Sequence, residues 1–301
     1  MSAWTLALEL SNPTSGSVVA PLTSLAPLSV VAPLSVVAPL SVVAPLSVVA
    51  PLSVVAPLSV VAPLSRAECA SSIALGQVEN PGTPHACATI IDTEHVAPAL
   101  PRSTSDDLFP AIDRLLRRNG LSPRDLKGGR IAVSVGPGGY TGLRIACAAA
   151  KVLADTVGAS CVGVPTALVA LDADSGSAPG GTALQSGALR AVALSSKSDA
   201  AWVYVEGWAD PAAPRFITVE TAAAFLAEYR IGLLIADSFL PAPIRAACAA
   251  AEIVIAPPRL SAAACVRASA TLPDIDPVAL VPIYAREPDA VTQWRARKEK
   301  D

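Results

Sequence analysis

Histidine is scarce in this sequence. The 301 residues include only His85 and His95, which lie ten positions apart. A zinc peptidase of the HExxH type needs two histidines one helical turn apart, and a serine peptidase needs a histidine beside its nucleophile. The sequence has no HExxH motif and no glycine elbow that carries a Ser-His-Asp set. We therefore expect no peptidase chemistry.

Charge is also sparse, and it shows no bias towards a nucleic acid. The chain has 22 basic and 25 acidic side chains, a net charge of −3. A protein that holds RNA by itself has a basic excess, so we expect a partner to hold most of any RNA involved. Between Glu9 and Arg66 there is no charged residue at all, and that stretch inflates the hydrophobic fraction of 52%. The remainder has the Ala-rich composition of an ordinary soluble protein.

No two of the cysteines form a CxxC pair. Buried thiols in a reducing cytosol are expected, in preference to disulfides or a metal site. The start, Met1-Ser2-Ala3-Trp4, lacks the basic n-region of a signal peptide, so we predict a cytoplasmic location without membrane association. The six cysteines are Cys69, Cys87, Cys147, Cys161, Cys248 and Cys265.

A hexapeptide repeat fills residues 26–61 with six identical copies of Ala-Pro-Leu-Ser-Val-Val. Its regular prolines interrupt helical hydrogen bonding and so disfavour a membrane span. The repeat also lacks the glycine corners of a hexapeptide β-solenoid, and proline cannot donate to a strand ladder. A docking segment for a specific partner remains open. We favour a tandem expansion inside a surface loop, extended or disordered, covering residues 18–65.

Outside the repeat, alternating strand and helix patterns predict an α/β fold. Helices are expected over about 105–118, with Ser105 as N-cap, and from the end of the glycine-rich turn to about Thr156, 220–229 and 244–251. Residues 172–187 are rich in Gly, Ser, Ala and Pro, and we interpret them as a linker or long loop. The predicted strands are Trp4–Leu10, Ser72–Val78, Cys87–Asp92, Ile131–Val135, Cys161–Val164, Leu189–Ser195, Ala201–Gly207 and Gly232–Ala236.

A glycine-rich turn between a predicted strand and a predicted helix is the strongest functional signal. It reads Gly136-Pro137-Gly138-Gly139-Tyr140-Thr141-Gly142-Leu143-Arg144. Glycines permit close backbone approach, Thr141 is predicted to cap the helix, and a helix start with Arg144 one turn in favours an anion. A plain strand–helix connection without a ligand would have the same composition. Neither the Walker loop nor the dinucleotide fingerprint fits, because Leu143 and Thr141 stand where those motifs need lysine and glycine.

The same nine residues resemble the Gly-Pro-Gly-Ser-Phe-Thr-Gly-Leu-Arg signature of the TsaB family, with two conservative changes. Ala150-Lys151 and Val162–Pro165 resemble the helix and strand after that signature, and residues 280–290 resemble the family's C-terminal tail. The resemblance covers the chain except for the repeat and residues 172–187. It implies a degenerate form of the actin-like, sugar-kinase-like ATPase fold in two lobes. The expected lobes are residues 1–17 with 66–171, and residues 188–301 with the tail.

The resemblance also implies a function. TsaB is the non-catalytic partner of TsaD in tRNA threonylcarbamoyladenosine synthesis, and the ATPase TsaE joins them. We therefore expect no catalytic residue and no cofactor in this chain, with ATP and metal belonging to the partners and tRNA contacted indirectly. A homodimer is a further expectation.

Two details agree with a non-catalytic subunit. The His-x-x-x-His metal pair of TsaD is absent, and Glu9 stands where the family has Asp at the end of its first strand. The alternatives are an active ATPase or kinase of the same fold, and a repeat-bearing interaction protein.

The candidate site residues fall into two groups. The signature turn is predicted to be an interface element or an anion site, and no metal site is predicted. The helix at 105–118 and the helix after Gly142 are predicted to contact the partner, although ordinary burial inside the lobe would produce the same pattern. The turn residues are Gly136, Pro137, Gly138, Gly139, Tyr140, Thr141, Gly142 and Arg144, and the helix residues are Leu108, Ile112, Leu116, Ala146, Ala149 and Ala150.

Overall fold

The computed structural model describes residues 2–10, 71–96, 107–173, 187–197, 199–213, 215–285, 294–295 and 297–298. Apart from the four residues described after position 285, the described residues form two sheets together with the helices and loops that join the strands. These residues belong to one compact unit. The hexapeptide repeat, the predicted cap Ser105 and most of the predicted 172–187 loop lie outside the described residues.

The first sheet has five strands in the order β3-β2-β1-β4-β5. The antiparallel part is β1 to β3, and β4 and β5 run parallel to β1. Strands β1 and β4 are buried on both faces, as their near-continuous apolar sequences predict. The strands are β1 (Ser2–Glu9), β2 (Ser72–Glu79), β3 (Cys87–His95), β4 (Arg130–Gly136) and β5 (Ser160–Pro165).

The second sheet has the order β10-β9-β6-β7-β8, with β6 to β8 antiparallel and β9 and β10 parallel to β6. Strands β6 to β10 therefore have the same order and the same relative directions as strands β1 to β5 of the first sheet. The prediction of a two-lobed α/β fold of the actin-like type is therefore confirmed. The strands are β6 (Leu189–Lys197), β7 (Ala200–Val205), β8 (Phe216–Thr218), β9 (Ile231–Ala236) and β10 (Val254–Ala256).

Six α-helices cover the sheets in the described part of the chain. Helices α1 and α2 pack on one face of the first sheet, where they share a core with Leu6, Leu8 and Val133. Helices α4 and α5 cover the second sheet in the same way. The helices are α1 (Leu108–Arg118), α2 (Tyr140–Val157), α3 (Thr166–Ala173), α4 (Ala222–Glu228), α5 (Ala242–Ala250) and α6 (Ala262–Ser269).

The remaining helices, α3 and α6, join the two lobes. Helix α6 follows the second sheet in sequence, yet it packs on β1, β2 and β3 of the first sheet, and α3 lies against both α6 and β6. Their buried side chains share one core with Ala7 of the first sheet and Trp202 of the second. The expected lobe at 188–301 does not anticipate this return of the chain.

Sequence patterns missed four elements for identifiable reasons. Strands β8 and β10 have three residues each, too few for a periodic pattern. Helices α3 and α6 are buried over most of their surface, so they lack the polar face by which a helix is recognised. The stop of α2 at Gly158 is confirmed, because this residue adopts the left-handed conformation at φ 70°.

The cysteine prediction is confirmed at four of the five described positions. Cys147, Cys161, Cys248 and Cys265 are buried free thiols, whereas Cys87 is exposed. Burial raises the pKa of Cys147 and of Cys161 to about 11, so both thiols are protonated at neutral pH. Across the described residues, no helix is both long enough and apolar enough to cross a membrane.

Candidate functional site

The signature turn connects the end of β4 to the start of α2. Gly136 closes the strand with φ 112°, a conformation that side chains other than glycine rarely adopt. A Cβ atom at this position would also overlap the carbonyl oxygen of Ile283. Glycine is therefore required at position 136 because a distant part of the backbone lies directly against the turn.

A second glycine serves the start of α2. A Cβ atom on Gly142 would overlap the carbonyl oxygen of Leu10, just beyond the end of β1. The prediction that Thr141 caps this helix is wrong: α2 begins at Tyr140 with Gly139 as N-cap, and no side chain caps it. Thr141 is the second helical residue and is exposed. The first turn of α2 is thus fixed by backbone packing on β1.

The distant backbone that contacts the turn is residues 280–285, which we call the C-terminal strap. The backbone N–H of Ile283 donates to the carbonyl oxygen of Val135 at 2.6 Å. Upstream, Ile275 and Cys161 exchange two backbone hydrogen bonds at the free edge of β5, and Leu280 is buried in the core of the first lobe. The chain therefore runs along β5 and then crosses the end of β4.

Arg144 of the signature is directed at the strap. Its Nε donates to the Tyr284 hydroxyl at 3.0 Å, and its Cζ lies 4.0 Å from the centroid of the Tyr140 ring. The two tyrosine rings are 5.1 Å apart. The hydrogen bond to Tyr284 raises the pKa of Arg144 above its ordinary value. The cation predicted to favour an anion thus contacts two aromatic side chains, and we call these three residues the tyrosine–arginine cluster.

The other end of β4 anchors the same C-terminal segment. Arg130 is only 2% exposed, and its Nε donates to Asp274 Oδ1 at 2.6 Å. The same guanidinium donates to the carbonyl oxygens of Ser269 and Leu272, at 3.2 and 2.7 Å. Sequence reasoning missed this residue, whose only signal is a single charge at the start of a buried apolar strand.

All six predicted interface residues are buried in the first lobe. Together they form the side of α1 and α2 that faces the sheet, so these side chains serve the lobe's own core. A partner protein that bound to α1 or α2 would contact other residues of these two helices. The six are Leu108, Ile112 and Leu116 of α1 and Ala146, Ala149 and Ala150 of α2.

One stripe along the outer face of α2 consists of small or aliphatic side chains. Thr141, Ile145, Ala148 and Val152 are exposed and follow one another at helical spacing. Ile145 is 39% exposed and Val152 is 60% exposed. Phe109 of α1 is exposed as well. Sequence periodicity finds a helix with apolar residues on both sides but does not say which side meets the sheet.

Ion pairs hold α1 on the edge strand β3. Arg118 contacts Asp92 and Glu94 at 2.7 Å, and Arg114 contacts Glu94 and Asp107 at 3.1 and 2.8 Å. The hydrogen bond from Arg118 is the largest influence on Asp92 and lowers its pKa to about 2. These ion pairs fix α1 on β3. Each charged group of the network has a partner of opposite charge, so the network offers no unpaired charge to a ligand.

Glu9 occupies the end of β1, where an ATPase of this fold carries an aspartate. It is 1% exposed and lies opposite Ser72 of β2, whose Oγ accepts the backbone N–H of Ala262 at the start of α6. Its charge lies close enough to Cys265 of α6 to add to the rise that burial causes in the pKa of that thiol. Glu9 is therefore enclosed beneath α6. Among the described residues, no group of three or more His, Cys, Asp or Glu side chains could hold a metal ion.

Part of the chain matches a known family model. Residues 96–233 match the model of TsaD, tRNA N6-adenosine threonylcarbamoyltransferase. The chain is similar to the TsaD family over this segment. The segment includes α1, the signature turn and α2, continues into the second lobe, and amounts to slightly less than half of the 301 residues. The matched segment includes the signature turn, so the resemblance stated from that turn is confirmed at the level of a TsaD-related family.

Two solved structures from Pseudomonas aeruginosa are also similar to the chain. One, described as an uncharacterized protein with similarity to peptidase YEAZ, is 18% identical, with a TM-score of 0.44, 72% of this chain and 94% of that chain covered. The other, YeaZ, is 13% identical, with a TM-score of 0.45, and covers 94% of this chain and 99% of its own. A search of curated proteins finds no match.

Proposed function

We propose that this chain is a non-catalytic subunit of a tRNA-modifying complex and acts with a TsaD-type partner in threonylcarbamoyl transfer to adenosine beside the anticodon. The observation that carries the proposal is the TsaD-family match, which spans the signature turn and both helices of the first lobe. In this proposal the partner supplies catalysis, a TsaE-like ATPase joins the complex, and tRNA is contacted through the assembly in the cytoplasm.

Two features of the fold support the absence of catalysis. A nucleotide and its metal would need a carboxylate open to solvent at the end of β1, but Glu9 is buried under α6. They would also need an available cation at the turn, but Arg144 is engaged with Tyr140 and Tyr284. The residues present therefore do not fit ATP and a metal ion, and we assign both to the partners.

The outer face of α2 is the surface that best suits the partner. Thr141, Ile145, Ala148 and Val152 form an exposed stripe of small or aliphatic side chains on this helix, and a contiguous exposed apolar surface can mark a protein contact. Close approach of two helices also favours small side chains, such as Ala148, between larger ones. A second copy of this chain would compete for the same face, so the homodimer and the complex with the partner are expected to exclude each other.

Co-purification from the host tests the proposal. The tagged full-length chain is expected to elute with a TsaD-type protein, identified by mass spectrometry, at a mass above that of either chain alone. The isolated chain is expected to show no nucleotide hydrolysis. Recovery of the chain without that partner, or steady hydrolysis of ATP by the chain alone, would contradict the proposal.

A further inference from the structure

We propose that the signature turn of this chain is a docking site for its own C-terminal strap, with Arg144 and Tyr140 recognising the Tyr284 side chain. The ligand is thus an extended peptide segment that presents a tyrosine. The inference goes beyond the proposed function and does not depend on it, because it concerns contacts within one chain.

The backbone carries the first part of the argument. The glycine conformation at Gly136 leaves room for the carbonyl of Ile283, and the N–H of Ile283 donates to Val135 immediately before the turn. The strap therefore takes the space that a side chain at Gly136 would fill. In a phosphate-binding turn, that close approach is made by the ligand's oxygen atoms instead.

The side chains carry the second part. The planar guanidinium of Arg144 combines a hydrogen bond to the Tyr284 hydroxyl with a stacked contact to Tyr140. Lysine cannot reproduce this arrangement, since an ammonium group lacks both the planar face and the Nε donor. An anion held by charge alone would tolerate lysine far better. The response to an arginine-to-lysine change at position 144 therefore tests whether the stacked contact holds the strap.

The second lobe supplies an independent comparison. There, Arg245 of the first turn of α5 donates to the carbonyl oxygens of Asp237 and Leu240, in the connection that corresponds to the signature turn. In both lobes, an arginine near the start of the helix that follows the fourth strand donates hydrogen bonds to other residues of the chain. In the second lobe it closes its own connection, whereas Arg144 reaches 140 positions along the chain to Tyr284.

Hydrogen–deuterium exchange at the amide of Ile283 tests the proposal in the full-length protein. Arg144→Lys and Tyr284→Ala are each expected to speed exchange there about tenfold, which corresponds to loss of a stacked cation–aromatic contact. Arg215→Lys is the matched control, because the Arg215 guanidinium lies 4.1 Å from the Trp208 ring centroid, and Trp208 belongs to the second lobe. That control is expected to leave the Ile283 amide unchanged. Tyr284→Phe, which removes only the hydroxyl acceptor, is expected to give a smaller acceleration.

Two results would overturn the proposal. One is unchanged exchange at Ile283 in both Arg144→Lys and Tyr284→Ala. The other is binding of inorganic phosphate to the wild-type turn, seen as protection of the first amides of α2, while the Ile283 amide stays protected. Phosphate protection that arises only in Tyr284→Ala would support the proposal, because it would show the strap and an anion competing for one place.

Discussion

The two lobes share one topology but differ at the connection after their fourth strand. In the first lobe this connection is the glycine-rich signature turn, and it accepts a backbone segment from the end of the chain. In the second lobe it is Asp237–Pro241, closed locally by Arg245 and by the hydrogen bond from Phe239 N to Asp237 Oδ1. The two connections therefore differ because Gly136 allows the close approach of a distant backbone segment, which the shared topology alone does not provide.

The lobes also differ in what they expose. Helix α2 has 18 residues and carries exposed Ile145 and Val152, whereas α5 has nine residues, with Arg245 as its single charged side chain and Ala at five positions. The first lobe thus has the glycine-rich turn and an exposed aliphatic stripe on α2, whereas the large exposed apolar residues of the second lobe, such as Phe216 and Phe239, lie outside its helices. We therefore propose that the first lobe is the half that contacts the partner.

The largest effect is expected from Gly136→Ala. The substitution combines an unfavourable φ with overlap of the Ile283 carbonyl, so the free energy of unfolding should fall by about 3 kcal/mol. Gly120→Ala is the matched control, because Gly120 also has positive φ but has no atom within 4 Å of an added Cβ. Its cost should be only about 1 kcal/mol. Equal losses in urea denaturation would mean that the strap does not constrain the turn.

Arg130→Met should be nearly as damaging. The substitution removes a buried guanidinium that donates to Asp274 and to two carbonyl oxygens, and leaving these acceptors without their donor is expected to cost about 3 kcal/mol. Arg267→Met is the control, because the Arg267 side chain is 41% exposed and its ion pair with Asp172 is expected to contribute less than about 1 kcal/mol. Chemical denaturation of both variants checks the difference, and a loss at Arg130 no larger than at Arg267 would contradict it.

Val152→Asp should weaken binding of the TsaD-type partner about tenfold or more while leaving the fold intact. The reason is that a carboxylate would be desolvated at the centre of the proposed contact. Phe239→Asp is the matched control, since Phe239 is 59% exposed, like Val152 at 60%, but lies in the second lobe. Titration calorimetry with the purified partner measures both. Equal losses of affinity in the two variants would show that the partner does not bind specifically at α2.

The smallest effect concerns pH and the contact of α1 with β3. Because the pKa of Asp92 is lowered from 3.8 to about 2, its ion pair stabilises the folded state above pH 4 and loses that contribution as the pH falls from about 4 through about 2. The group is near the surface, so the change should be under about 1 kcal/mol. Arg118→Met should flatten the slope of stability against pH in that window. An unchanged slope would show that the ion pair of Asp92 does not contribute to the pH dependence of stability.

Local features of the fold and the site could be predicted, and long-range ones could not. The glycine-rich segment, the strand before it and the helix stop at Gly158 depend on neighbouring residues, so they were predictable from the sequence. The partner of Arg144 lies 140 positions away, and the partner of Arg130 lies 144 positions away. Pairings over such distances leave no periodic trace in a single sequence.

The interface residues illustrate a related limit. Ala146, Ala149 and Ala150 were predicted from their small size, but small residues suit contact with the lobe's own sheet as well as with a partner helix. Only the position of the sheet shows that Ile145 and Val152 face outwards. The exposed aliphatic residues were visible in the sequence, but their direction was not.

Depletion of the chain from its host, followed by quantification of threonylcarbamoyladenosine in total tRNA by mass spectrometry, tests the central claim most directly. We expect the modified nucleoside to be lost and to return when the wild-type chain is supplied. A nucleoside level that stays unchanged after depletion would contradict the assignment of this protein to tRNA modification.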